Sequence, residues 1–432
     1  MTARSVGLSA RTIASGRAAL DSARPSWRRM PAFAGPAVIA SIAYVDPGNF
    51  AANIEAGAKF GYMLLWVVVV ANLLAMFFQA QSAKIGIVTG RSLASLCREQ
   101  FPAPLVIAMW AASEVAAMAT DLAEFLGGAI GLSLLTGLPL LPGLVIVGLV
   151  TYGLLTLQSA GFRPLELVIG GFVTIISLAY CVELVIAPPD WRAFALHAVT
   201  PQLQGGKSIE LAVAIIGATI MPHAIYLHSS LTRDRIPAVN DAQRSRSLWY
   251  SNREAVLALG LAGLVNMAML AMAAAVFHDG AHNEVADIET AYRTLMPLLG
   301  WGAGAVFMLA LLCSGVSSSV VGTMAGQEIM KDFVGFRTPL WLRRLITMIP
   351  AFIVVALGVE ATRALVLSQV VLSMVLPVPL LAMIALGRRS NVMGAFATSG
   401  RMTGLAVLAA TAIILLNAAL LAQVAGVGLW PE

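Results

Sequence analysis

The chain has 432 residues, of which 59% are hydrophobic and 11% charged, and its mean hydropathy is +0.85. So few polar side chains cannot cover a water-soluble globule of this size, which excludes a soluble domain and predicts an all-α polytopic membrane protein. The net charge of +5 comes from basic residues spread over separate loops, so no nucleic-acid-binding surface is expected. Cys97, Cys181 and Cys313 lie far apart and predict neither a disulfide scaffold nor a cysteine metal site.

Eleven apolar stretches are long enough to cross a hydrocarbon layer of roughly 30 Å. They cover residues 33–56, 61–83, 104–133, 140–158, 164–186, 208–231, 253–277, 299–329, 340–358, 362–387 and 402–425. We number them helices 1 to 11 in chain order. The Arg- and Ser-rich residues 1–31 lack the apolar core of a signal peptide and are expected to be a cytosolic tail, followed by a single transmembrane domain over 32–426.

Positive charge predicts the orientation, because Lys and Arg near membrane spans are retained in the cytoplasm. With a cytoplasmic N-terminus, all but five of the 27 basic residues fall on the inner side. The five exceptions are Lys59, Arg192, Lys207, Arg293 and Arg363. We therefore expect a multi-pass protein of a prokaryotic cell (plasma or inner) membrane, with its N-terminus in the cytoplasm and its C-terminus outside.

Helix-breaking residues interrupt two spans at places that carry polar side chains. Asp46-Pro47-Gly48-Asn49 lies in helix 1, and Met221-Pro222-His223 lies in helix 6, which runs in the opposite direction. Paired broken helices in two inverted halves indicate the binding site of a secondary transporter. The halves are predicted as helices 1–5 (about 32–186) and helices 6–10 (about 208–387), with helix 11 added (about 402–425).

The side chains at the two breaks form a mixed set of hard and soft metal ligands. An ionised Asp46 at mid-membrane depth needs a cation or a cavity, and Asn49 beside it offers an amide oxygen. The breaks also free backbone carbonyls, such as those of Ala43 and Ala218. Met221 adds a thioether, which Mg²⁺ and Ca²⁺ disfavour but Mn²⁺, Fe²⁺, Co²⁺ and Cd²⁺ accept. The alternative for Met221 is core packing, since the chain has 19 methionines.

Two histidines follow the second break, and each has two interpretations. His223 lies two residues after Met221, and His228 lies five further on. Because histidine titrates near neutral pH, either could hold a proton or act in gating. Each could equally be a neutral, hydrogen-bonded core residue.

Helix 3 carries three acids on one face. Glu114, Asp121 and Glu124 lie within about 80° of one another at 100° per residue. Intramembrane acids of this kind are typical of proton relays, and Arg343 and Arg344 at the start of helix 9 are the expected partners. The alternative is a static salt bridge that ties helix 3 to helix 9.

These motifs resemble those of a known family. Asp46-Pro47-Gly48-Asn49 and Met221-Pro222-His223 are similar to the two signature motifs of the Nramp family of proton-coupled divalent metal transporters. The similarity extends over helices 1 to 10. It includes residues 118–127 of helix 3, residues 81–86 at the end of helix 2 and residues 342–345 of helix 9.

The resemblance implies a leucine-transporter-type fold with helices 1 and 6 broken. It also implies proton-coupled import of Mn²⁺ or Fe²⁺ by alternating access. The implied metal ligands are Asp46, Asn49, Met221, the carbonyls of Ala43 and Ala218, and Gln369 on helix 10. The implied proton pathway consists of Asp46, His223, Glu124, Asp121, Arg344, Arg343 and Glu114. A related branch that carries magnesium lacks the methionine, and Met221 argues against that branch.

Two alternative functions share some of these features. A sodium-coupled carrier of amino acids on the same fold would use helix N-termini for a substrate carboxylate and would have little use for a thioether. A metal sensor or membrane metalloenzyme is disfavoured, because the sequence has no His-Glu-x-x-His motif and no soluble signalling domain. We therefore expect no enzymatic activity and no cofactor beyond the transported metal. The expected partners are metal ions, protons and the bilayer, and the expected state is a monomer.

Overall fold

The protein is a bundle of membrane-spanning helices. The computed structural model describes residues 3–22, 24–278, 288–336 and 339–425. Among these residues every regular element is helical, and nine helices are long and apolar enough to cross a membrane. The two remaining predicted spans are the broken helix 1 and helix 9, which has 17 residues. The all-α prediction is confirmed. Residues 1–2 and 23 of the predicted tail, and residues 279–287, 337–338 and 426 of the predicted domain, lie outside the described ranges.

The helix bounds extend several of the predicted spans. The spanning helices are Pro36–Ile42 and Pro47–Phe60 (helices 1a and 1b), Leu65–Thr89 (2), Ala103–Thr136 (3), Leu140–Leu155 (4), Phe162–Ile186 (5), Gly205–Thr219 and Pro222–Arg235 (6a and 6b), Asp241–Ala273 (7), Trp301–Val334 (8), Leu340–Ala356 (9), Ala361–Val375 with Pro377–Gly387 (10), and Gly400–Val424 (11). The other α-helices are Ala3–Asp21, Leu93–Gln100, Trp191–His197, Ile288–Leu299 and Ser390–Met393. Helices 7 and 8 exceed their apolar stretches because their polar ends continue beyond hydrocarbon depth.

Both predicted breaks are real interruptions of the helical backbone. Asp46 and Met221 have extended backbones, with ψ of 168° and 124°, and each precedes the proline that begins the next half-helix. A residue before proline disfavours the helical conformation, and proline is well suited to the first helical position. By contrast, Leu376 before Pro377 keeps helical angles (φ −51°, ψ −37°), so helix 10 is only interrupted in its hydrogen bonding. Pro377 thus behaves as a tolerated transmembrane proline.

Helices 3 and 8 form the most extensive helix pair, and glycines allow their close approach. A Cβ built on Gly315 of helix 8 would lie 2.6 Å from the Gly128 Cα and 2.8 Å from the Glu124 carbonyl oxygen. One turn further along helix 3, a Cβ on Gly131 would lie 2.9 Å from the Leu312 backbone nitrogen. Small residues commonly permit such backbone contact between membrane helices. The contact fixes helix 3 beside the centre of the bundle.

The amino-terminal helix Ala3–Asp21 packs at one end of helix 7. Gln243 donates to the Asp21 carboxylate at 2.9 Å, and the backbone N–H of Ser26 donates to the Tyr250 hydroxyl at 3.0 Å. Phe33 stacks on Tyr250 with ring centroids 4.1 Å apart. The described part of the predicted tail is therefore ordered against the membrane domain.

Replacing Gly315 by alanine tests the helix 3–helix 8 contact. Alanine favours a helix over glycine, so propensity alone predicts stabilisation. We expect Gly315→Ala to be destabilising by roughly 1–3 kcal/mol instead, because the new methyl group overpacks a backbone contact. Thermal unfolding in detergent measures the change. Gly171→Ala on helix 5 is the control, since a Cβ there meets nothing within 4 Å. Equal melting temperatures for the two variants would contradict the packing account.

Candidate functional site

The two helix breaks meet through one side chain. The Asn49 amide nitrogen donates to Asp46 Oδ1 at 2.7 Å and to the Ala218 carbonyl at 3.0 Å. Asp46 Oδ1 also accepts from the Asn49 backbone N–H at 2.8 Å, so the carboxylate caps helix 1b. The structure therefore brings together three of the predicted ligands, from helix 1 and from the end of helix 6a.

Several oxygens at this junction lack a hydrogen-bond partner. Within the described ranges, Asp46 Oδ2, Asn49 Oδ1 and Gln369 Oε1 are buried and accept no hydrogen bond. Gln369 lies beside the break, because a Cβ on Gly48 would overlap its amide group. Buried polar atoms are normally paired, so unpaired oxygens beside a helix break are typical of a cation site. Such oxygens are suitable ligands for a divalent cation.

Met221, the predicted sulfur ligand, lies at the second break. It is the N-cap of helix 6b, three residues after Ala218, and its side chain is fully buried. Ala43 is buried at the start of the 3₁₀ turn Ala43–Val45 that ends helix 1a. Asp46, Asn49 and Met221 are each at most 1% exposed, so solvent does not reach their side chains in this conformation. No group of three His, Cys, Asp or Glu side chains suitable for a metal occurs among the described residues.

Polar side chains of helices 7 and 8 satisfy the backbone at the first break. The Ser314 hydroxyl donates to the Val45 carbonyl at 2.5 Å, and the Asn266 amide donates to the Tyr44 carbonyl at 2.7 Å. Asn53 of helix 1b donates to Asn266 Oδ1 at 3.1 Å. Unpaired backbone groups in a membrane interior cost several kcal/mol each, and these contacts remove that cost. None of these residues is among the predicted site residues, although amides within apolar spans are a usable signal.

Both histidines make hydrogen bonds inside the bundle. His223 Nδ1 lies 3.1 Å from the Thr120 hydroxyl of helix 3, and its Nε2 finds no partner among the described residues. His228 Nδ1 lies 2.8 Å from Gln79 Oε1, and the Gln79 amide donates to the Tyr44 hydroxyl at 2.6 Å. His223 thus connects helix 6b to helix 3, while His228 connects it to helices 2 and 1.

Asp121 and Glu124 of helix 3 lie against helix 8. A Cβ on Gly322 would come within 2.5 Å of Glu124 Oε2 and 2.9 Å of Asp121 Oδ1. Both acids are buried, and neither Glu124 oxygen nor Asp121 Oδ1 has a hydrogen-bond partner in the described part of the chain. Two buried carboxylates this close together would repel each other if both were ionised.

The two arginines of helix 9 differ in their contacts. Arg343 Nη1 forms an ion pair with Glu114 Oε2 at 2.5 Å. Arg344 instead donates to the Ser319 carbonyl at 3.0 Å and hydroxyl at 2.8 Å, and to the Thr323 hydroxyl. Among the described residues, only Arg343 pairs directly with a helix 3 acid. The expected partnership with the helix 3 acids is thus a direct ion pair for Arg343, whereas Arg344, which hydrogen bonds to helix 8, interacts electrostatically with Asp121 and Glu124 without a direct ion pair.

Polar contacts also hold the far ends of the broken helices. The Glu254 carboxylate of helix 7 accepts from the backbone N–H groups of Gly35 at 2.6 Å and Ala37 at 2.9 Å, at the start of helix 1a. At the opposite end, Glu55 of helix 1b pairs with Lys59 at 2.7 Å and with Lys207 of helix 6a at 3.1 Å. Both ends of helix 1 are thus tied to neighbouring helices.

The chain matches a family model over most of its length. The model describes "natural resistance-associated macrophage protein-like" (Nramp) proteins and matches residues 37–423. Among similar proteins, the "divalent metal cation transporter MntH" of Acidiphilium cryptum is 58% identical, over 98% of this chain and 97% of that protein. The protein of the same name from Deinococcus radiodurans is 53% identical, over 92% of this chain and 91% of its own.

Solved structures give the same result for the fold. A manganese transporter of Eremococcus coleocola, in complex with an aromatic bis-isothiourea substituted compound, matches with a TM-score of 0.83 and 32% identity, over 94% of this chain and 90% of that one. Mhp1, a nucleobase-cation-symport-1 family transporter, matches with a TM-score of 0.62 at 12% identity, over 92% and 94% of the two chains. The second likeness concerns the fold alone, and it confirms the predicted leucine-transporter-type fold.

Replacing Asp46 by asparagine tests whether the junction binds a divalent cation. Asparagine keeps the oxygen that caps helix 1b but removes the charge. We expect the dissociation constant for Mn²⁺ to rise by at least about tenfold, equivalent to about 1.4 kcal/mol. Isothermal titration calorimetry on purified protein measures it. Asp190→Asn is the control, because Asp190 is an exposed cap of the short helix Trp191–His197. Unchanged affinity in Asp46→Asn would contradict the assignment.

Proposed function

The chain belongs to the Nramp family, and from the geometry of its two helix breaks we propose that it is a proton-coupled secondary transporter that imports Mn²⁺ and Fe²⁺ by alternating access. The observation that carries the proposal is the Asn49 bridge between Asp46 and the Ala218 carbonyl, beside unpaired oxygens and the buried Met221. The names of its relatives support divalent metal ions as the cargo.

The proposed metal site combines oxygen and sulfur ligands. Asp46 supplies the negative charge, Asn49 and Gln369 supply amide oxygens, and Met221 supplies the thioether. The carbonyls of Ala43 and Ala218 alternate as ligands when the half-helices move. Oxygen ligands alone would suit Mg²⁺ and Ca²⁺ equally well, so the thioether provides the preference for transition metals.

The proposed proton route starts at Asp46 and leads to helix 3. As the metal arrives from outside, Asp46 releases its proton and binds the ion. His223 contacts Thr120 of helix 3 and lies on the proposed route from Asp46 to helix 3. Glu124 and Asp121 then receive the proton, and it leaves past the Arg343–Glu114 pair. Arg344 lies over the Phe125 ring at 4.2 Å, between helix 3 and helix 8, and stabilises the acids when they ionise.

Alternating access requires the half-helices to move about their breaks. In the proposed cycle, the Glu55–Lys207 contact between helices 1b and 6a breaks when the outer path opens. The contacts of Glu254 with the start of helix 1a break when the inner path opens. The buried site described here corresponds to the occluded stage between those two states.

The proposal includes the arrangement in the membrane. Residues 32–426 form one transport domain with inverted repeats at about 32–186 and 208–387, and helix 11 is an addition. The protein works as a monomer in the cell membrane, with a cytoplasmic N-terminus and an external C-terminus. Cysteine accessibility at each terminus in intact cells tests this orientation.

Met221→Ala tests the proposed selectivity. Proteoliposomes containing wild type or variant are compared for Mn²⁺ uptake, with Ca²⁺ or Mg²⁺ as competitor. We expect saturable uptake by the wild type that resists excess Ca²⁺, and uptake by Met221→Ala that Ca²⁺ inhibits, because the sulfur ligand is lost. Met374→Ala, a methionine of helix 10 that packs against helices 6a and 11, is the control. Equal Ca²⁺ inhibition of wild type and Met221→Ala would contradict the role of the thioether.

A further inference from the structure

Helix 5 carries a buried acid that neither the predicted metal site nor the predicted proton pathway uses. Glu183 is 1% exposed, and neither of its carboxylate oxygens has a hydrogen-bond partner among the described residues. The nearby Tyr180 hydroxyl is equally buried and also lacks a partner there. An ionisable residue within a membrane span usually marks a functional site. Glu183 lies within the predicted helix 5 but belongs to no motif of the sequence.

Glu183 lies near the moving half of helix 1. Tyr180, one turn before it, packs edge-on against Phe50 of helix 1b with ring centroids 5.6 Å apart. Phe50 in turn is one turn beyond Asp46. At 1.5 Å per residue, Glu183 is therefore roughly 10 Å further toward the outer end than Asp46. This position is on the same side of the metal site as the Glu55–Lys207 contact.

The surroundings of Glu183 oppose a negative charge. It lies within the last turn of helix 5, which ends at Ile186, and the carbonyl end of a helix repels an anion. Burying an unpaired carboxylate costs far more than burying the neutral acid. The closed arrangement is therefore compatible with a protonated Glu183.

Among the described residues, Glu183 forms no hydrogen bond with a charged neighbour. Helix 5 packs against helices 1a, 7 and 8, the amino-terminal helix and the turn after helix 4, and its Tyr180 also contacts helix 1b. The short helix Trp191–His197 packs beside Leu184, and there Asp190 and Arg192 are exposed and His197 contacts the Ala193 carbonyl at 2.9 Å. The titratable groups toward the outer ends of helices 1b and 7 are Glu55 and Lys59, which pair with each other, and His278, which contacts the Ala58 carbonyl at 3.1 Å. The remaining charged groups of helices 5, 7 and 8 lie at the inner ends of those helices. They are Glu328, Lys331, Asp332, Arg163, Glu166, Asp241, Arg244, Arg246, Arg253 and Glu254. Those of the amino-terminal helix lie at the same inner end.

We propose that Glu183 is an external proton-binding site, and that helix 1b closes against helix 5 only when this carboxyl group is protonated. The proposal rests on the alternating-access function proposed above. When helix 1b moves outward, Tyr180 and Glu183 become accessible to the external solution, and Glu183 exchanges its proton there. When helix 1b returns, the acid re-enters apolar surroundings, and only its neutral form does so at low cost. External acidity thus promotes closure of the outer path.

Glu183→Gln separates this role from metal binding. Glutamine has nearly the shape of the protonated acid but needs no proton, so closure of the outer path becomes independent of external pH at this site. Mn²⁺ uptake into proteoliposomes is measured at an acidic and a slightly alkaline external pH, with the internal pH and the membrane potential held constant. For the wild type we expect several-fold faster uptake at the acidic pH. For Glu183→Gln we expect the ratio of acidic to alkaline uptake to fall toward one, through faster uptake at the alkaline pH.

Two controls make the result specific. Glu360→Gln removes an exposed acid at the same end of the bundle and should leave the wild-type ratio unchanged. Calorimetric Mn²⁺ affinity should be the same for wild type and Glu183→Gln, which shows that the variant is folded and that its metal site is intact. If Glu183→Gln is not recovered as folded protein, Glu183→Met, a neutral side chain of similar length, takes the same test.

The outcomes distinguish the two proposals. A wild-type ratio retained by a folded Glu183→Gln or Glu183→Met variant overturns the inference and leaves the transport function intact. No Mn²⁺ uptake by the wild type at either pH contradicts the proposed function itself. A reduced ratio in the variant with unchanged metal affinity supports Glu183 as the external proton site.

Discussion

The structure depends on the Asn49 amide, which joins the carboxylate of Asp46 to the carbonyl of Ala218. This one group holds two broken helices together at a depth where water does not satisfy their free backbone groups. Each unpaired polar group in hydrocarbon costs several kcal/mol, whereas a typical hydrogen bond contributes about 1 kcal/mol net. The breaks are therefore tolerable only because side chains from helices 7 and 8 also satisfy them.

Hydrogen bonding at the junction of the two helix breaks is incomplete. Ser314 and Asn266 occupy the carbonyls of Val45 and Tyr44, yet oxygens of Asp46 and Asn49 remain unpaired. In the proposed mechanism, a divalent cation supplies the missing interactions and competes with the Asn49 bridge for the same oxygens. In the proposed cycle, binding therefore alters the contact that joins the two halves, and this links occupancy of the site to movement of helices 1 and 6.

The sequence predicted the breaks well because proline and its preceding residue have strong local preferences. Asp46 and Met221 are extended for that reason, and the eleven spans follow from apolar length alone. Helical periodicity placed Glu114, Asp121 and Glu124 on one face, but it could not choose their partners across helices. Arg344 donates hydrogen bonds to Ser319 and Thr323 of helix 8, and this contact depends on tertiary packing, which a local sequence pattern does not specify. Asn266, Gln79 and Glu183 were missed because single polar residues in long apolar spans give no local pattern.

In the proposed mechanism, a proton gradient drives inward movement of the metal through a buried site at the two breaks. The most direct test uses sealed proteoliposomes with equal Mn²⁺ on both sides, an acidic exterior and the membrane potential clamped at zero. We expect Mn²⁺ to accumulate inside the vesicles above its external concentration until the pH gradient dissipates. A Mn²⁺ distribution that stays equal while the pH gradient persists, in vesicles that exchange labelled Mn²⁺, would contradict proton coupling.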